Sequence, residues 1–264
     1  MTKLVSKIKY QYHDLILNAR LFRWMGILKY YYYSYFLRKE FITVKLKAKE
    51  LNKVKIKIRC RNGVDRNVLD YVFMQKYHIT NEPIANKQNP VILDLGSNIG
   101  CTVLDFKLRY PGSIIYGYEM DIDNYNLALT NCKGFSNVYL FNRAVWIKKD
   151  TIVYDKSNQP DAYSITNVQN SKKSLSVASL SISDIINENN IGCIDFLKMD
   201  IEGAEIDILN EDDLSWLTLV HSFNIEFHHI SDSMLEKYIP LFSAYGFNVT
   251  KSKYHWSALI GTRI

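Results

Sequence analysis

From Val91 onward, short apolar runs alternate with amphipathic stretches. Val91-Ile92-Leu93, Ser113 to Tyr118, Val138 to Phe141, Asp195 to Met199 and Val220 to Phe227 read as strands, and Ile99 to Arg109, Asn124 to Cys132 and Ser183 to Asn189 read as helices. Strands joined by single helices need right-handed crossovers, so the pattern predicts a parallel sheet with helices on both faces. The tail departs from this: Gly246-Phe247-Asn248-Val249, a polar turn and Trp256 to Ile260 read as an antiparallel hairpin. Lys148 to Ser174, rich in Asn, Ser, Asp and Lys, lies where a crossover helix belongs and is too long for an ordinary connection. It reads as a solvated insertion, with a lid over a substrate pocket as the alternative.

Upstream the pattern is different. Residues 3 to 39 mix three and four spacing of apolar and aromatic residues, which predicts helix. Val44 to Arg59 alternate with the period of a half-exposed strand. Asn62-Gly63 is a turn signal, Asp65 is placed to cap a helix running through Val68, Leu69, Val72 and Phe73, and Asn81 to Pro90 is a polar loop. Charge sharpens the contrast: residues 1 to 60 hold 15 Lys and Arg against 3 acids, whereas the rest hold 18 against 24. The chain is therefore divided into a basic, aromatic extension (1–60) and a second domain (61–264). With 264 residues, 47% of them hydrophobic, it is long enough for one large core plus a small appendage.

Lys29 splits the most hydrophobic part of the extension, so no run of 18 apolar residues spans a bilayer, and no small-residue cleavage site marks a signal peptide. The basic residues interleaved with Phe22, Trp24, Phe36 and the Tyr30 to Tyr33 run instead suggest peripheral contact of residues 1–39 with an anionic membrane. A packing or dimerisation arm is the alternative. Cys60, Cys101, Cys132 and Cys193 are too dispersed for a disulfide framework or a zinc site, which fits a reducing cytoplasm.

Asp94-Leu95-Gly96-Ser97-Asn98-Ile99-Gly100 follows a buried strand and opens a helix, the place where open parallel sheets bind nucleotide cofactors. The glycines let backbone approach a ligand, and the free amides of the helix attract a carboxylate. A dinucleotide fingerprint needs glycines where Asp94 and Ile99 stand, and an acid beside a pyrophosphate repels it. S-adenosylmethionine, with an ammonium and a sulfonium and no phosphate, fits. Glu119 ends the second strand about 20 residues later, where an acid accepts both ribose hydroxyls. The cofactor side is thus assigned to Asp94, Gly96, Ser97, Asn98, Gly100 and Glu119, with Met120 and Ala144 beside them.

Methyl transfer from a sulfonium needs alignment and removal of the acceptor's proton. Asp200 and Glu202 leave the fourth strand beside the cofactor turn, and Glu226 and His228 share one face of the fifth. A glutamate on a central strand is costly in the core, so Glu226 and His228 are expected at the mouth of a pocket. Histidine ordinarily titrates near neutrality, which makes His228 the first choice of base, with Asp200, Glu202 and Glu226 as the other catalytic candidates. Glu205, three residues beyond Glu202, reads more simply as an acid favouring the start of a helix. No divalent metal is assigned: Asp200, Glu202, Glu226 and His228 could converge on one, but their spacing does not demand it.

Ile194 to Glu205 resembles the FkbM family of methyltransferases, whose K-x-D-x-E-G-x-E hallmark is matched at Lys198, Asp200, Glu202, Gly203 and Glu205. The turn Asp94 to Gly100 and Glu119 match as well, with weaker likeness at Arg61 to Asp65 and Asn224 to His228. Met120 stands where the family usually has proline, and residues 1 to 50 lie outside the resemblance. It implies an α/β class I methyltransferase fold, Rossmann-like, mostly parallel with a C-terminal antiparallel hairpin, here carrying the helical basic extension. It also implies transfer of a methyl group to a hydroxyl of a small molecule or glycan, sugars being familiar acceptors. The alternatives are an inactive binding protein and a nucleic-acid methyltransferase. No D/N-P-P-Y/F/W signature stands at the fourth strand, and the acids there oppose phosphates, so no nucleic-acid partner is expected.

Overall fold

The computed structural model describes residues 14–47, 54–60, 64–79, 84, 88–155, 174–228 and 230–264. The chain divides into two compact units, 1–76 and 77–264, a boundary C-terminal to the one that charge alone suggests.

In the first unit, α1 (14–21) and α2 (Trp24–Tyr31) are separated at Arg23, whose backbone is extended, and α2 runs on into a π-helical turn over Tyr32–Phe36. The stretch expected as one helix is thus broken. The alternation expected as one strand is a hairpin: β1 (Phe41–Val44) pairs antiparallel with β2 (Ile56–Arg59), Val44 facing Ile56. A two-residue period is the same before and after a reversal, so it does not reveal where the chain turns. The predicted turn at Asn62-Gly63 lies outside the described residues. Asp65 does not cap a helix end. It lies inside α3 (Val64–Leu69), fully buried, and its carboxylate accepts from the Arg59 amide at 2.7 Å and from the Arg59 guanidinium at 2.6 Å. Arg66 is buried as well; its guanidinium pairs with Asp14 at 2.5 Å and lies 4.5 Å from the Tyr30 ring centroid. A buried arginine is tolerable only with such partners.

In the second unit a seven-stranded sheet is built from β3 (Val91–Leu95), β4 (Ile114–Glu119), β5 (Val138–Asn142), β9 (Phe196–Met199), β10 (Ser222–Glu226), β11 (Phe247–Lys251) and β12 (Ala258–Arg263). Between β5 and β9 lies a small three-stranded sheet of β6 (Ala144–Val145), β7 (Asp150–Asp155) and β8 (Ser174–Leu180). The order across the large sheet is β11-β12-β10-β9-β3-β4-β5, parallel except for β12, which runs antiparallel to both β10 and β11. This is the class I methyltransferase arrangement. The stretch from Lys148 to Ser174 begins and ends in the paired strands β7 and β8, while residues 156–173, which include most of the proposed lid, lie outside the described residues.

The helices α4 (Cys101–Arg109), α5 (Ile122–Cys132), α6 (Ile182–Glu188), α7 (Ala204–Leu209), α8 (Asp232–Leu235) and α9 (Tyr238–Ala244) connect these strands. Leu93, Leu95, Leu197, Met199, Phe223 and Ile225 are fully buried and pack in one core with Ile185, Leu217 and Phe242. Successive strands lead from β3 toward β4 and β5 on one side, while β9 and β10 lie on the other. The chain direction therefore switches beside β3, and the carboxyl ends of β3, β4, β9 and β10 meet at the crevice where ligands bind in open α/β sheets.

Candidate active site

The turn after β3 is held from both sides. The Gly96 and Ser97 amides both donate to the Tyr118 carbonyl at 2.9 Å, and the Asn98 amide donates to Glu119 Oε2 at 2.8 Å. Gly96 and Gly100 have φ of +81° and +83°, and Asn98 has +49°. A Cβ on Gly96 would lie 1.8 Å from the Asp200 carbonyl oxygen, so this glycine lets the turn close against the end of β9. Gly100 caps α4 and packs against Ala128 and Cys132 of α5.

Asp94 is fully buried beneath the turn. It accepts from the Thr102 hydroxyl and lies 3.4 Å from Lys198 Nζ. Lys198 donates to the Gly96 carbonyl at 2.6 Å and lies 3.4 Å from Asp200 Oδ2. Burial pulls the Lys198 pKa down, but the Asp200 and Asp94 carboxylates outweigh it and leave it above the ordinary lysine value. Ser97 and Ala144 are buried, and Met120 packs against the core that contains Ala144. Asn142 Nδ2 donates to the Glu119 and Met120 carbonyls at 2.9 Å, fixing the end of β4.

Glu119 accepts one backbone amide on each carboxylate oxygen, Asn98 on Oε2 and Asp121 on Oε1. Burial raises its pKa to about 7, opposed by the Asp121 and Asn98 amides, while Asp121 adds repulsion and Lys198 attraction. Each oxygen retains acceptor capacity, so the pair fits a ribose diol. When bound, S-adenosylmethionine supplies an electrophilic methyl group. The residues present fit it: acids without a phosphate-binding loop, a glycine turn that lets backbone approach a ligand, and a carboxylate at the end of β4.

The second half of the site lies at the ends of β9 and β10, where the structure brings Asp200, Glu202, Glu226 and His228 together. His228 Nε2 is 3.6 Å from Asp200 Oδ1, 3.5 Å from Glu202 Oε2 and 3.6 Å from Glu226 Oε1. Asp200, Glu226 and His228 each place one possible ligand atom within 4.8 Å of the others, spacing that would accommodate a cation.

Glu205 is more than an acid at a helix start. Its side chain is fully buried, Oε1 accepts from the Ile201 amide at 2.7 Å, Oε2 accepts from the Gly203 amide at 2.8 Å, and Oε1 lies 3.2 Å from His228 Nδ1. It thereby holds a turn in which Glu202 and Gly203 have φ of +61° and +111°. The K-x-D-x-E-G-x-E spacing thus has a physical content: Lys198 ties the strand to the cofactor turn, Gly203 permits the reversal, and Glu205 fastens both the turn and the histidine. His255, which sequence reasoning passed over, places Nε2 3.5 Å from Glu226 Oε1. It lies in the turn between β11 and β12, too far along the chain for local spacing to associate it with Glu226.

Electrostatics change the assignment of roles. Burial lowers the His228 pKa, but the hydrogen bond to Glu205 and the charges of Asp200, Glu205 and Glu202 overcome it and raise it to about 10. These carboxylates favour the protonated imidazole, which sets it against the role of base that its residue type suggests. Burial followed by Asp200 raises both Glu202 and Glu226 to about 8, with His228 opposing in each case. Asp200 stays below the ordinary carboxylate value, because Lys198 and His228 outweigh its burial.

Residues 94–249 match the family described as methyltransferase FkbM domain. No curated protein sequence matches the chain. Similar solved structures include a Methanococcus jannaschii fibrillarin pre-rRNA processing protein, 14% identical with a TM-score of 0.46, the match covering 84% of this chain and 89% of that one. The METTL16 methyltransferase domain is 12% identical with a TM-score of 0.44, over 75% of this chain and 68% of that one. M. capricolum TrmK in complex with S-adenosyl-homocysteine is 12% identical with a TM-score of 0.37; the match covers 66% of this chain and spans 62% of that chain's length. The chain belongs to the methyltransferase FkbM domain family of S-adenosylmethionine-dependent enzymes.

Proposed function

We propose that the protein transfers a methyl group from S-adenosylmethionine to a hydroxyl oxygen of a sugar, carried by a small molecule or a glycan. The observation that carries this reading is the pair Glu202 and Glu226 beside the cofactor turn, both with pKa values near 8. A hydroxyl becomes a competent nucleophile as its proton leaves, and a carboxyl group of raised pKa is, in its ionised form, a stronger acceptor for that proton than an ordinary carboxylate, an activity that should grow as pH rises toward 8. His228, protonated and fixed by Glu205, offsets the surrounding negative charge and holds the two glutamates in place. Asp200, ionised between Lys198 and the crevice, is available to orient the acceptor. The ionised Asp200, joined by Glu202 and Glu226 as they lose their protons, favours a polar, uncharged acceptor and opposes a phosphate backbone. Incubating the protein with S-adenosylmethionine and a panel of sugars and nucleoside-free glycans should release S-adenosyl-homocysteine with a matching methyl ether found by mass spectrometry. Methylation confined to nitrogen or to nucleic acid would exclude this reading.

Glu119 provides a separate test of the cofactor side. Glu119→Ala removes bonds worth about 1.5 to 3 kcal/mol, so affinity for S-adenosylmethionine should fall about tenfold or more. Ribose hydroxyls donate to the ionised carboxylate, and below pH 7 Glu119 must first release a proton. Affinity of the unaltered protein should therefore weaken as pH falls from 8 to 6, and this component should be absent in Glu119→Ala. Titration calorimetry at the two pH values measures both effects; equal affinity of the two proteins would remove the ribose assignment. The charged groups facing Glu119 are Asp121 and Lys198, with the Tyr154 hydroxyl nearby.

A further inference from the structure

The first unit carries a surface that methyl transfer does not use. α2 and the π-helical turn after it bury Ile27, Tyr30 and Ser34 on one face. Trp24, Met25, Leu28, Tyr32, Tyr35 and Phe36 are exposed, Trp24, Met25 and Phe36 at 70–76%. Their spacing places Met25, Leu28, Tyr32 and Phe36 in one stripe along the helix. So much contiguous apolar surface marks an interaction site. Arg23, Lys29, Arg38, Lys39, Lys45, Lys47 and Lys55 are also exposed. Beside the stripe opens a groove of about 690 Å³ with Arg23, Met25, Lys29, Lys45, Leu46 and Lys55 in its lining and no acidic residue there among the described residues.

We propose that this unit docks on an anionic phospholipid surface, with the aromatic stripe in the headgroup layer and the cationic groove receiving a lipid phosphate. Charge complementarity selects the occupant. Two copies meeting through this face would bring like charges together. Nucleic acid would satisfy the cations, but Met25, Leu28 and Leu37 have no flat face to stack on bases. A bilayer satisfies both sets, because Trp and Tyr settle at the headgroup level and aliphatic side chains enter the acyl boundary. No helix among the described residues is long and apolar enough to cross a membrane, so the contact is peripheral.

The full chain should float with vesicles of phosphatidylglycerol and phosphatidylcholine at low salt, and remain at the bottom with phosphatidylcholine alone or at 1 M salt. Charge reversal by Arg23→Glu with Lys45→Glu should lower the bound fraction about tenfold or more. Trp24→Ser with Phe36→Ser should weaken binding at every salt concentration; all four positions are exposed, and unchanged thermal unfolding would show that the fold is kept. Failure of the unaltered chain to bind phosphatidylglycerol vesicles would overturn the proposal. So would binding that neither double variant weakens, or an apolar stripe that instead mediates a dimer lost in Trp24→Ser with Phe36→Ser. Selective binding of RNA through the same cations, without vesicle binding, would also overturn it.

Discussion

Glu226→Gln is expected to lower kcat by about 10²- to 10⁴-fold while leaving the affinity for S-adenosylmethionine nearly unchanged, because it removes a proton acceptor and keeps the side chain's shape. Glu226 faces both His228 and His255 at the end of β10, whereas the cofactor turn lies across β9. Glu202→Gln provides the comparison, since the two glutamates lie about equally far from His228 Nε2. Single-turnover methyl transfer to an acceptor found by the sugar screen separates them. A loss confined to one variant identifies the acceptor of the proton. Full turnover in both would eliminate Glu202 and Glu226 as the base and return attention to Asp200.

The other large effect is structural. Gly96→Ala should destabilise the second unit by more than about 3 kcal/mol or prevent folding, because left-handed backbone and a severe clash coincide there. The added methyl would sit 1.8 Å from the Asp200 carbonyl, a backbone atom held within the sheet edge that cannot swing aside as a side chain does. Urea unfolding measures the loss. Gly134→Ala, where an added Cβ meets nothing within 4 Å, is the control for handling and expression. A Gly96→Ala protein as stable as the control would mean that the turn and the end of β9 can separate freely.

The sheet was legible because its strands are short apolar runs between turn residues, a signal that local burial imposes. The helices after β3 and β4 and the hairpin of β11 and β12 follow for the same reason. The first unit was harder to read: one alternating stretch forms two paired strands, and Asp65, which looks like a helix cap, is occupied by Arg59. The strand β8 was hidden because three serines interrupt the apolar residues of Ser174 to Leu180. At the active site, residue types and spacing marked Asp200, Glu202, Glu226 and His228. The raised pKa of His228 could not be read from its type, because it follows from carboxylates on the turn between β9 and α7 and on the first turn of α7. Glu205 was masked by a simpler explanation that also happens to be true of its position.

Lys198 binds the two halves of this site into one electrostatic unit. Its single ammonium is the counter-ion of Asp94 beneath the cofactor turn and of Asp200 on the acceptor side, and it also donates to the Gly96 carbonyl. A change of charge in either half alters how strongly this lysine is drawn toward the other. If cofactor and acceptor bind on the two sides as proposed, the shared cation links them thermodynamically, and the influence is reciprocal: whatever affinity one occupant adds for the second, the second returns to the first. Communication between the subsites needs no moving domain, only one buried ammonium divided between two carboxylates.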